Sequence, residues 1–70
     1  MEIRIDERKL TIAVANQGLM WKDVAQKAGL STNALRDIRQ GKSTPRLATL
    51  GRIAKALNVN VKDLIEEAGD

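Results

Sequence analysis

Seventy residues suffice for one domain with a modest core, and the absence of cysteine and histidine excludes disulfides, thiolate metal sites, thiol nucleophiles and the commonest general base near neutral pH. Trp21 is the only aromatic, which argues against the stacking platform that single-strand and many RNA binders use. The net charge of +3 is segregated: residues 1–21 sum to zero, residues 22–55 carry eight cations against two carboxylates for +6, and residues 56–70 sum to −3.

Met1 to Ile5 alternates, with Ile3 and Ile5 on one side and Glu2 and Arg4 on the other. Period two predicts a short strand or extended arm at residues 1–5. A lone strand must pair with something, for instance the same segment of a second subunit. The competing expectation is a frayed terminus with two isoleucines laid on the core.

Asp6 is placed to cap a first helix from Glu7 to about Gln17, closed by Gly18. Leu10, Ala13, Val14 and Gln17 share one stripe, and Ile12 falls on the other side. A single exposed isoleucine is ordinary, although with Ile3 and Ile5 it would form a self-association patch.

A second helix is predicted over Trp21 to Ala28, with Met20 where a capping Ser or Thr is usual. Trp21 reads as core filling near the helix start, or as a half-buried ring whose indole N–H donates to a phosphate; the two are compatible. Ala28-Gly29-Leu30 makes a tight turn, and Ser31 is a good N-cap for a third helix ending near Gln40 with Gly41 beyond it. Ala34, Leu35 and Ile38 form that helix's apolar face, and Thr32, Asn33, Arg36, Asp37 and Arg39 its free face. Short hydrogen-bonding groups with guanidiniums suit base edges and phosphates. Two short helices about a glycine turn, at residues 21–40, match the helix-turn-helix.

The loop Lys42-Ser43-Thr44 follows, either a solvated connection or a set of phosphate donors. Thr44 and Pro45 read as N-cap and first residue of a fourth helix, with Leu47, Leu50, Ile53, Ala54 and Leu57 as its buried stripe. Gly51 inside it is costly unless another helix packs closely there. Arg46 in the first turn opposes the helix dipole, which a nearby phosphate would relieve. Asn58-Val59-Asn60 turns into a short fifth helix with Asn60 and Asp63 at capping-box spacing and Val61, Leu64 and Ile65 apolar. That helix and the acidic tail lie apart from the basic segment and offer a dimer surface.

The run GLMWKDVAQKAGLSTNALRDIRQGKSTPRLATLGRIAKALNVNVKDL resembles the Cro/CI-type (XRE, lambda-repressor-like) helix-turn-helix domain. The resemblance covers about Leu10 to Ile65 and rests on Val24-Ala25, Gly29-Leu30-Ser31, Gly41-Lys42, the Pro45 start and LGRIAKALNVNVKDL in this order. It implies an all-α, compact five-helix domain over residues 1–70 whose third helix enters the DNA major groove, usually as a dimer on a two-fold operator. Base reading is carried to Thr32, Asn33, Arg36 and Asp37, and phosphate contact to Trp21, Lys22, Ser31, Gln40, Lys42, Ser43 and Arg46. The second helix departs from the family in starting Met20-Trp21, where Gln is usual. Arg39 stands where Glu is common and Val14 where that Glu's Arg partner occurs in some members. With both charges replaced, Arg39 is expected to turn outward as a phosphate or inter-subunit contact.

These features predict a bacterial or phage-encoded, cytoplasmic, dimeric repressor of double-stranded DNA, with no cofactor, metal, membrane or small-molecule ligand and no catalytic residues. The alternative is a protein-interaction module on the same scaffold, an antitoxin or antirepressor-like regulator. Base pairing by chemistry would be Asn33 to adenine, Arg36 to guanine, Asp37 to cytosine N4 and the Thr32 methyl to thymine.

Overall fold

A computed structural model describes residues 4–66. The order is α1 (Glu7–Gln17), α2 (Trp21–Ala28), α3 (Thr32–Arg39), α4 (Leu47–Ala56) and a single 3-10 turn at Val61–Asp63. Asp6 caps α1, its carboxylate accepting from the N–H groups of Arg8 at 2.9 Å and Lys9 at 3.2 Å. Met20 gives α2 no side-chain cap. Asp23 supplies the return half of a capping box instead, accepting from the Met20 N–H at 3.0 Å.

All four helices close in the same way. Gly18, Gly29, Gly41 and Asn58 take positive φ. The N–H of the next residue then reaches back across the last turn: Leu19 to the Val14 carbonyl, Leu30 to Ala25, Lys42 to Asp37 and Val59 to Ala54. This is the Schellman arrangement, which favours an apolar residue just after the left-handed one. Leu19, Leu30 and Val59 follow the rule and pack on the core. Lys42, after α3, breaks it and is exposed.

The core is built from Leu10, Val24, Leu35, Leu50, Ile53, Leu57 and Leu64, all fully buried, with alanines at 13, 25, 28 and 54 between them. Among the described residues no polar or charged residue is buried as a whole. The scaffold helix α2 packs mainly on α4 and then on α3. Its buried face is small (Val24, Ala25, Ala28), which lets neighbouring backbones approach.

Four sequence expectations change. The fifth helix is only the 3-10 turn, so the described residues hold four α-helices. Just beyond that turn Ile65 forms an antiparallel bridge with Ile5. The Asp6 N–H donates to the Leu64 carbonyl at 2.8 Å, and the Glu66 N–H donates to the Arg4 carbonyl at 2.9 Å. Extended pairing there leaves no backbone for further helical turns. The same bridge corrects the arm: Ile5 is buried and pairs within its own chain, while Ile3 lies outside the described residues. Lys9 adds a side-chain tie, donating from Nζ to the Ile65 carbonyl at 3.2 Å.

The third change is the start of α4. Arg46, with extended backbone, is its N-cap, so Thr44 and Pro45 belong to the loop. The helix therefore begins at Leu47, which is 73% exposed and outside the buried stripe. Gln17, at the end of α1, is exposed too. The fourth change concerns Gly51, which is exposed with nothing within 4 Å of where a Cβ would sit. No close packing accounts for it.

Two glycines in this frame have opposite expected outcomes. Gly51→Ala removes only backbone freedom from the helix interior and should raise stability by about 0.5–1 kcal/mol. Gly29→Ala forces a left-handed φ of +73° on an alanine; its Cβ meets only Arg52 Nη1, at 4.0 Å. The cost is therefore conformational, about 1–2 kcal/mol. Thermal melts of both variants check the pair, and a Gly29→Ala protein as stable as the parent would contradict the turn geometry.

Candidate nucleic-acid interface

Ser31 fixes the start of α3, its hydroxyl oxygen accepting from the Ala34 N–H at 3.0 Å. Leu35 and Ile38 hold one side of the helix in the core, and Ala34 is half-buried beside them. Thr32, Asn33 and Arg36, on the remainder of the helix circumference, are exposed. An α-helix with its side chains is about 10–12 Å across, the width of the B-DNA major groove. Asp37 is only partly exposed, and its backbone carbonyl accepts from the N–H groups of both Lys42 and Ser43. These bonds pin the loop against the end of α3.

The predicted phosphate-contact residues fall around that helix. Lys22 is exposed in the first turn of α2. Gln40, Lys42 and Ser43 are exposed directly beyond α3, and Arg46 is exposed at the N-cap of α4. Lys22, Arg36, Lys42 and Arg46 carry no ion pair among the described residues. Their charge is therefore not neutralised by any described residue, and it flanks the polar helix in sequence, the electrostatic footprint of a polyanion partner.

Arg39 departs from its expected outward turn. Its guanidinium carbon lies 4.0 Å from the centroid of the Trp21 ring, and the residue is partly buried. This stack joins the first residue of α2 to the last residue of α3, so it also brings Lys22 towards the Gln40–Lys42 segment. The sequence marked both residues singly and missed the pairing. The available signal was a lone aromatic together with a cation whose expected α1 partner position holds Val14, which is buried and apolar.

No helix among the described residues is long and apolar enough to cross a membrane, and they contain no cluster of three or more potential metal ligands.

Comparison with known proteins finds the same fold. A 50-residue stretch is 38% identical to the HTH-type transcriptional regulator DdrOP3 of Deinococcus deserti, covering 71% of this chain and 39% of that protein. The chain thus spans about two-fifths of the length of that relative. The restriction-modification controller protein C.AhdI from Aeromonas hydrophila shares the fold at TM-score 0.75 and 19% identity, over 81% of this chain and 86% of that one. The clp gene regulator ClgR from C. glutamicum shares it at TM-score 0.72 and 21% identity, over 81% and 74%. Residues 9–67 match the Cro/C1-type HTH DNA-binding domain, and the chain belongs to that family of helix-turn-helix domains.

Proposed function

We propose that residues 1–70 act as one unit that binds a specific double-stranded operator as a homodimer and represses by occupying it. The observation that carries this reading is the exposed face of α3, Thr32, Asn33 and Arg36, accompanied by exposed cations that have no ion-pair partner among the described residues. Asn33 addresses adenine and Arg36 guanine, each bidentate, while the Thr32 methyl meets thymine. Asp37 accepts from cytosine N4 through the part of its side chain that remains exposed. Lys22, Gln40, Lys42, Ser43 and Arg46 hold phosphates. Ser31 adds its hydroxyl proton, since its oxygen is used within the cap, and Trp21 contributes its backbone N–H at the start of α2.

One α3 reads only a few base pairs, so two copies related by a two-fold axis read an inverted repeat. Its half-site centres lie about 10–10.5 bp, one helical turn, apart. The interior of a cell supplies such a target, which places the protein in the cytoplasm. Selection from a random duplex library, followed by titration of the winner at two salt concentrations, tests the whole reading. An enriched inverted repeat bound with a steep salt slope is expected. A complex with another protein and no salt-sensitive DNA binding would replace it with the interaction-module reading.

Lys42 gives a sharper check, because the Schellman closure places this cation where an apolar residue is usual. Lys42→Ala should weaken cognate and unrelated duplexes by similar factors and reduce the salt slope by about 0.9. A loss restricted to one sequence would remove it from the phosphate contacts.

A further inference from the structure

α3 is attached to the rest of the chain by few side chains. Leu35 and Ile38 are its only buried residues, with Ala34 half-buried beside them, and the two lie on one line along the helix. A helix held along a single line resists separation but is free to roll about that line. A contact away from it, at one end, removes the freedom. The stack of Arg39 on Trp21 is such a contact: it links the far end of α3 to the start of α2, the helix that α4 holds in place.

The chemistry of the contact is one-sided. Arg39 Nε is buried with no hydrogen-bond partner in the described residues. Among the described residues no carboxylate pairs with the guanidinium. The negative face of the indole ring attracts it, and the C-terminal end of α3 favours a cation in its last turn. An aliphatic side chain would fill the space without leaving a buried N–H unsatisfied. The guanidinium instead sits over the ring, 4.0 Å from its centroid, a directional contact that an aliphatic chain does not make.

We propose that Trp21 and Arg39 are positioning residues for base recognition: the ring-held guanidinium fixes the roll of α3 against α2, so that Thr32, Asn33 and Arg36 reach the base edges in register. This rests on the DNA-binding reading above. Bidentate base contacts tolerate little displacement, since hydrogen bonds weaken steeply with angle and distance. A rolled α3 still presents its cations to phosphates but no longer aligns its donors with the bases.

The test uses the intact chain and its Trp21→Leu variant, with Trp21→Phe as the rescue. Loss of the brace should lower the ratio of cognate to non-cognate affinity about five- to tenfold in Trp21→Leu. The salt slope should stay as in the parent, because no cation is removed. Trp21→Phe keeps an aromatic face and should recover most of the ratio, and Arg39→Met in the Trp21→Leu background should add little further loss of ratio. A merely less stable protein lowers both affinities by the same folded fraction and leaves the ratio alone, so the readout separates positioning from stability. An unchanged ratio in Trp21→Leu would overturn the proposal.

A second measurement needs no DNA. The Arg39 Nε proton should show an upfield ring-current shift in the parent and lose it in Trp21→Leu. Amide exchange in α3 should accelerate about tenfold more than in α4. Equal acceleration of the two helices would overturn the brace. If the parent prefers no duplex, the DNA-binding reading fails on its own, and the exchange result still decides whether the brace exists.

Discussion

Leu35→Ala is expected to destabilise the chain by about 2–5 kcal/mol, the range for removing a buried leucine side chain and leaving a cavity. Leu35 is 1% exposed and lies in the middle of α3, with Ile38 one turn on. A 70-residue chain has roughly 4–10 kcal/mol of total stability. The substitution therefore removes a large share of it, and urea titration should show a lower midpoint with little change in slope. DNA affinity should fall for every sequence by the same folded fraction. A loss below about 1 kcal/mol would mean that α3 is anchored by something other than its buried face, and would weaken the account of why so short a helix is stable.

What was legible in the sequence was the part with local causes. Asp6 and Ser31 as caps, the left-handed glycines at 18, 29 and 41, and the apolar spacing of Val24-Ala25 and Leu35/Ile38 each act within a few residues, and they place α1, α2 and α3. The misreadings have long-range causes. Pro45 is a good first helical residue, yet the chain stays extended through Arg46. Val61 to Ile65 has helical spacing, but Ile65 is claimed by Ile5, sixty residues earlier, through a bridge that no local pattern announces.

The candidate site follows the same division. Exposure of Thr32, Asn33 and Arg36 is fixed by the buried face of their own helix and could be read from spacing. The Trp21–Arg39 stack depends on how α2 and α3 cross, and a sequence does not state a crossing angle. Val14, at the α1 position of the family's ionic partner, is buried and apolar and offers Arg39 no charge. Where Arg39 went instead was set by the ring at the start of another helix.

Arg36→Ala should flatten the operator preference at one base position and leave the other positions intact. Arg36 is exposed, about 100° round α3 from Leu35, and carries no ion pair among the described residues, so its removal costs little stability. A bidentate guanidinium–guanine contact discriminates by about 1–3 kcal/mol, roughly five- to 150-fold in relative affinity. Arg36→Lys isolates the geometry from the charge. Lysine keeps the cation and therefore most of the attraction to non-cognate DNA, but it lacks the planar fork that meets guanine O6 and N7 together. The lysine variant should then bind unrelated duplexes nearly as well as the parent while losing much of the preference at that position. The check is competition binding against a set of single-base operator variants at one fixed salt concentration. If both variants keep the parent's preference at every position, Arg36 reads no base, and recognition passes to Thr32 and Asn33 at the start of the helix.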